Sequence, residues 1–242
     1  NKQIIKALFG EGVKNEVILG KGVYNNYGIA QNGFNISSIQ FALHYMFENE
    51  SILNEFLKNL SQCTALEGYF IGTCYDGNKV FNILSEIEIN KSISLIKNDK
   101  KIWEITKKYS NQYYQDDESC IGYAIDVYQE SINKTFREYL VNFNYLTRLL
   151  ENYGFVLLSK EEIKSLNLPG TIGYFDELFE NMELELKKDK RLANKIGNAL
   201  NMSKEEKQIS FLNKYFIFKK VRNITSEDVV PLEKLDSKNQ KE

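Results

Sequence analysis

The 242 residues carry a formal net charge of −2 and are 43% hydrophobic, which suffices for one large domain, or one domain with a lid, and argues against a surface that grips nucleic-acid duplexes at large. One histidine, His44, excludes a histidine-rich metal centre, and Cys63, Cys74 and Cys120, with no C-x-x-C pair, read as small buried hydrophobes rather than a disulfide frame or zinc site. No apolar run reaches the roughly 18 residues of a membrane span and NKQIIKALFG lacks the long apolar stretch of a secretory leader, so a soluble, intracellular protein with no membrane partner is expected. Along residues 1 to 33, Gly10, Gly12, Gly20, Gly22 and Gly28 interrupt any long helix. LGKGVYNNYG departs from G-x-G-x-x-G and no apolar strand leads into it, so it reads as a surface connection rather than a phosphate cradle. Phe34 to Ile39 predicts a short strand. A helix near 51 to 62 puts Ile52, Leu53, Phe56, Leu57 and Leu60 on one face, with Ser51 as N-cap. Leu66 to Thr73 predicts the next strand, opened by a turn at Glu67-Gly68, and strand, helix, strand at this spacing is a βαβ unit with parallel neighbouring strands.

Residues 85 to 119 are charged and irregular, with one strand at Lys101 to Ile105 and a solvated acidic loop at Asp116-Asp117-Glu118. Alternation predicts a strand over Ile121 to Glu130. Phe136 to Tyr153 has helical spacing, with Leu140, Phe143, Leu146 or Thr147, and Leu150 inward and Gly154 at its end. Phe155 to Ser159 reads as a strand, Phe175 to Leu200 as mostly helical, Lys214 to Val221 as a closing strand, and the polar tail from Asn223 as frayed.

Ligands of open α/β sheets bind beyond the carboxyl ends of the strands. Gln40, His44 and Tyr45 lie just past one such end and Thr73 to Asp76 past its neighbour, so the two sites adjoin. A core histidine satisfied by a backbone carbonyl, and a tyrosine that only packs, remain open alternatives.

FNISSIQFALHYMFEN followed by LEGYFIGT resembles the mRNA cap (guanine-N7) methyltransferases, in which an apolar strand leads into Q-F-x-x-H-Y, then a helix, then G-G-Y-F-I-G-T. FREYLVNFNYLTRLLENYGF is similar to that family's P-E-[FY]-L-V helix and LNKYFIFKK to its closing strand, so the likeness runs from Gly33 to Val221. The variant G-Y-F-I-G-T-C-Y-D-G looks most like the methyltransferase region of large DNA-virus capping enzymes.

The resemblance implies an α/β fold, a class I (Rossmann-like) S-adenosylmethionine-dependent methyltransferase sheet with a cap-binding insertion. Residues 1 to 222 would be its C-terminal portion, with 85 to 135 as insertion or lid. Carried over by motif, Gln40 and Tyr45 touch S-adenosylmethionine, and His44 and Tyr45 contact the cap guanine. Glu138 accepts from the guanine Watson–Crick edge and Tyr215 completes the pocket. Taken alone, Glu138 would be a first-turn helix glutamate and Tyr215 strand filler. The implied activity is methyl transfer to guanine N7 of capped mRNA, in the cytoplasm or a virion if the source is viral. The resemblance leaves open whether triphosphatase and guanylyltransferase domains share the polypeptide and whether a stimulatory subunit is needed.

These residue types suit that chemistry. Guanine presents N1–H and an exocyclic amine on one edge, and a carboxylate can accept from both. An imidazole donor can meet O6. Guanine N7 bears a lone pair and no proton, so its methylation needs alignment rather than a general base, and no metal is expected. One departure stands out: the family's glycine-rich L-D-L-G-C-G-x-G-G-D loop is not in this sequence. With Asn rather than Met at position 1, the expectation is part of a longer capping protein. The alternative is a degenerate, non-catalytic module that binds capped RNA or supports an active subunit. A small-molecule methyltransferase is a weaker option, because the Glu138 and Tyr215 matches lie where acceptor-specific parts belong.

Overall fold

The computed structural model describes residues 2–224. Two short helices open the chain, α1 (Lys2–Leu8) and α2 (Glu16–Asn25), where the glycine pattern predicts a connection. Asn15 caps α2 by accepting from the N–H groups of Val17 and Ile18, and Gly20, at φ 74° and ψ 153°, kinks the helix without ending it.

The βαβ unit forms as expected from β1 (Phe34–Gln40), α3 (Glu50–Cys63) and β2 (Thr64–Tyr75), with β1 and β2 parallel. Asn49, not Ser51, caps α3, its side chain accepting from Ile52 N–H at 3.0 Å. Leu53, Leu57 and Leu60 face the core, while Ile52 stays exposed at the edge of the apolar stripe. The turn expected at Glu67-Gly68 is a register break inside one strand, where Glu67 takes a φ of 64°. Further along β2, a Cβ on Gly72 would collide with the Ile39 carbonyl of β1 and the Phe216 ring, so only glycine lets these strands close up.

A second, wholly antiparallel sheet follows α4 (Gly77–Ile83): β3 (Ser92–Lys97), β4 (Lys100–Lys107), β5 (Ala124–Gln129) and β6 (Lys134–Tyr139), in that order. Two expectations are corrected here. Residues 85 to 119 are not irregular around a single strand, because β3 and β4 make a hairpin turned by Asn98 and Asp99, both at positive φ. Nor does a helix start at Phe136, since residues 134–139 pair with β5, Glu138 opposite Ile125. The helix α5 (Phe143–Asn152) begins only where the Asn142 side chain accepts from the N–H groups of Asn144 and Tyr145, and it ends before Gly154 at φ 88°. The acidic run is not simply solvated either: the Asp116 carboxylate accepts from the side-chain amides of Asn142 and Asn144 and so ties the loop to α5.

The remainder is β7 (Phe155–Leu157), α6 (Lys160–Ser165), β8 (Ile172–Tyr174), α7 (Phe175–Lys188), α8 (Lys204–Ser210) and β9 (Asn213–Lys220). The expected helix over 175 to 200 stops at Lys188 and gives way to 3-10 turns. The closing strand β9 runs antiparallel to β2 on one side and to β7 and β8 on the other, giving the order β1-β2-β9-β7. This is a mixed α/β fold whose first sheet has β1 as an edge.

Leu53, Leu57, Phe70, Tyr145, Phe216 and Phe218 fill one core, and Trp103, Ile105, Ile125 and Val127 pack against Val80 and Leu84 in the second. Cys74 and Cys120 are buried and Cys63 half-buried, all unpaired. Gly77 N–H donates to Val141 O at 2.9 Å, so the chain enters and leaves the second sheet side by side. Among the described residues no helix is long and apolar enough to cross a membrane. The expectation for the polar tail falls, beyond residue 224, outside the described residues.

Candidate functional site

At the carboxyl end of β1 the chain turns sharply. Phe41 adopts a φ of 51° while its N–H donates to Thr73 O at 2.8 Å, and a 3-10 turn over Leu43–Phe47 follows. Leu43 and Phe47 are drawn fully into the core, which fixes the turn and places His44 between them, 6% exposed. From the second sheet, β6 delivers Glu138, 8% exposed, to the same place. Nδ1 of His44 lies 3.7 Å from Oε2 of Glu138, and the Tyr45 ring stands edge-on to the imidazole at 4.2 Å between centroids.

These three side chains line a cavity of about 670 Å³ between the two sheets. Phe41, Tyr75, Trp103, Gln129, Phe136 and Phe175 contribute to its other walls. The Phe41 and Phe175 rings meet edge-to-face at 6.2 Å, and Tyr75 is braced by Trp103 Nε1, which donates to its hydroxyl at 3.2 Å.

Burial governs the electrostatics. It pushes the Glu138 carboxyl up from its usual 4.5 to about 7 and the His44 imidazole down from 6.5 to about 4. Near neutral pH the histidine is therefore uncharged and the carboxyl is poised between its two forms. The His44 pair is the sole polar partner of Glu138 among the described residues, so its carboxyl retains acceptor capacity facing the cavity. The phenols of Tyr45 and Tyr75 are shifted upward, the latter to about 12, first by burial and in part by the negative charge of Glu138, so both remain protonated donors.

Of the residues singled out from sequence, His44, Tyr45 and Glu138 thus meet in one cavity. Gln40 and Tyr215 do not line it. The Gln40 carbonyl accepts from Thr73 Oγ1 at 2.8 Å and its amide donates to Ser38 Oγ at 3.0 Å, on the exposed end of β1. Tyr215 lies between Thr73 of β2 and Gly173 of β8, its ring resting on the Gly173 backbone where a Cβ would approach within 2.7 Å. A methyl-donor site fits these residues poorly. Gln40 is already engaged, and no glycine-rich turn among the described residues forms an enclosed cradle beside it.

Sequence reasoning missed Phe41, Trp103, Gln129, Phe136 and Phe175 as cavity residues. Phe41 carried a signal, being the first residue after a strand that ends at a ligand-bearing edge. The others come from the second sheet and from α7, whose approach no local pattern reveals.

Comparison with known proteins adds an independent finding. The sequence model of the mRNA (guanine-N(7))-methyltransferase domain matches residues 4–221. A probable mRNA-capping enzyme of Acanthamoeba polyphaga mimivirus is 28% identical over 223 residues, 84% of this chain and 18% of that protein. An mRNA cap guanine-N(7) methyltransferase of Saccharomyces cerevisiae is 29% identical over 129 residues, 52% of this chain and 29% of that protein. The chain therefore spans less than a third of either relative. Among solved structures, an S-adenosylmethionine-dependent methyltransferase from Clostridium acetobutylicum is similar at a TM-score of 0.36 and 11% identity, covering 53% of this chain and 50% of its own. A methyltransferase from Streptomyces caelestis is similar at 0.42 and 7%, covering 79% and 59%.

Proposed function

The chain belongs to the mRNA (guanine-N(7))-methyltransferase family, and from that premise we propose that it forms the cap-reading part of an enzyme that methylates N7 of the terminal guanosine of 5′-capped mRNA. One observation carries the reading: a buried carboxyl, Glu138, faces a cavity between the two sheets with acceptor capacity unused by the protein, its Oε2 3.7 Å from Nδ1 of His44. Guanine offers two adjacent donors, N1–H and the 2-amino group, and an ionised Glu138 accepts both, which adenine cannot match. The second sheet, β3 to β6, is read as the cap-binding insertion.

This chain's residues would then orient the base and exclude water. The N7 lone pair needs no proton removed, and the methylated base is cationic, so the Glu138 carboxylate favours the charge that develops on it. S-adenosylmethionine supplies an electrophilic methyl group. The described residues build no enclosed site for it, and Gln40, held by Thr73, and Tyr45 would meet its edge at most.

The test is a methyl-transfer assay of the full polypeptide on GpppA-capped RNA with labelled donor, followed by nuclease digestion and mass mapping. The label is expected on guanine N7. Label at another position overturns the reading, and selective cap binding with no transfer even when a donor-binding subunit is supplied favours a non-catalytic module.

A further inference from the structure

Two consecutive lysines of the closing strand have opposite surroundings. The Lys219 ammonium meets two carboxylates, those of Glu67 and Glu162. Lys220, on the other face of β9, is 3% exposed and has no carboxylate partner among the described residues. Its Nζ donates to Ser61 O at 2.6 Å and to Thr64 O at 2.8 Å, carbonyls at the end of α3. That contact caps the helix and sets the cation against the negative end of its dipole, yet it uses only two of the three N–H groups of an ammonium. Burial lowers the Lys220 pKa below the usual lysine value, as expected of a charge with too few partners.

Lys220 lines a second pocket, of about 420 Å³. It lies beside Gly33 and Thr64, where β1 and β2 begin, so the length of β1, ~20 Å of strand, separates it from Gln40 and the cavity side of the sheet. The side-chain amides of Gln31, Asn32, Gln62 and Asn223 also line it, and none of them is hydrogen-bonded to another described residue. Among the described residues the lining holds no carboxylate and no aromatic ring. Nucleobases are held chiefly by stacking on rings, so this wall suits no base. A buried cation among free amides suits anionic and hydroxyl oxygens instead, because lysine, asparagine and glutamine are the residue types that contact phosphate and sugar.

We propose that this pocket is a sugar-phosphate site in which the remaining N–H of Lys220 holds the phosphate group and the four amides meet the other oxygens. The occupant is a free sugar phosphate or one link of an RNA backbone, which present the same chemistry. The site stands without the guanine reading, since the pocket and the cavity between the sheets share no lining residue. Lys220 then has two roles on one ammonium, closing α3 and supplying the positive charge of the pocket.

The experiment titrates ribose 5-phosphate into the full polypeptide by ligand-observed saturation-transfer NMR, with saturating GpppA present to occupy the cavity. Saturable binding is expected, and Lys220→Met should weaken it about tenfold or more, the loss of one hydrogen bond to a charged group. Gln62→Glu keeps the lysine, adds a carboxylate on an exposed position of the lining and should weaken binding to a similar degree, which keeps the test open should Lys220→Met not fold. Lys219→Gln removes the same charge one residue away and should leave binding unchanged. Uncapped pentauridylate then separates the two sources: displacement of ribose 5-phosphate assigns the site to an RNA backbone, and failure to displace it assigns the site to a free sugar phosphate. Binding that is undiminished in Gln62→Glu, or lost equally in Lys219→Gln, overturns the proposal. So does the absence of saturable binding by both ribose 5-phosphate and pentauridylate.

Discussion

Nδ1 of His44 and Oε2 of Glu138 lie 3.7 Å apart, both side chains about nine-tenths buried, and the acid comes from one sheet while the base follows the end of a strand in the other. The pair joins the two halves of the molecule at the cavity wall. Burial works on the two partners in opposite directions, and the consequences can be measured.

The first concerns stability against pH. Glu138 is raised from 4.5 to about 7, so its contribution is fully present below pH 4.5 and is lost as pH climbs through about 7. His44 is lowered from 6.5 to about 4, so its contribution is present above pH 6.5 and is lost as pH falls through about 4. In the unaltered protein the two largely cancel. Glu138→Gln removes the acid's share, and chemical denaturation should show the variant gaining on the parent between pH 4.5 and 7, up to on the order of 3 kcal/mol. A flat difference across that window would show that Glu138 is not desolvated as described.

Cap binding should carry the opposite dependence. Only the ionised carboxylate accepts from both guanine donors, and in the empty site half of it is protonated near pH 7. Affinity for GpppA, followed by calorimetry, should rise about tenfold per pH unit below 7 and level off above it. Glu138→Gln should bind weakly and show no such rise.

Gly72 predicts a purely structural loss. It sits opposite Ile39 of β1 and Phe216 of β9, and a methyl group there would meet the carbonyl of the first and the ring of the second. Gly72→Ala should therefore cost about 2 to 3 kcal/mol, read as a lower denaturation midpoint, because backbone as well as side chain must shift. An unchanged midpoint would mean that the β1–β2 spacing is looser than it stands here.

Asn142 carries three jobs while fully buried: it caps α5, donates to Gln115 O, and donates to Asp116. Asn142→Ala should destabilise by about 2 kcal/mol or more, above the usual loss of a helix cap, since Asp116 also loses a donor. Asn142→Asp should retain the cap yet oppose Asp116, and should be less stable at neutral pH than at pH 3, relative to the parent.

Much of the first sheet was legible because its elements obey local rules. Leu53, Leu57 and Leu60 repeat at helical spacing, and the apolar runs on either side have strand length. Reading failed where two periodicities run together: Leu140, Phe143, Leu146 and Leu150 continue a helical spacing backward across Asn142, hiding the strand that carries Glu138. The cap at Asn142 was the signal that would have corrected it. The cavity was half legible. His44 and Tyr45 announce themselves at a strand end, but Tyr75, Trp103 and Gln129 meet only through the packing of one sheet on the other, which no spacing encodes. Motif matching put Tyr215 in the guanine pocket with His44 and Glu138 and gave Gln40 to the methyl donor, whereas here Tyr215 rests on Gly173, off the cavity wall, and Gln40 is held by Thr73.

The most direct measurement of the central claim compares GpppA with its inosine counterpart, which lacks only the 2-amino group, for the parent polypeptide and for Glu138→Gln. A carboxylate that takes N1–H and the amine together predicts a parental preference for guanine of about tenfold or more, collapsing in the variant. Equal discrimination by parent and variant would contradict the account, because guanine would then be read by something other than Glu138.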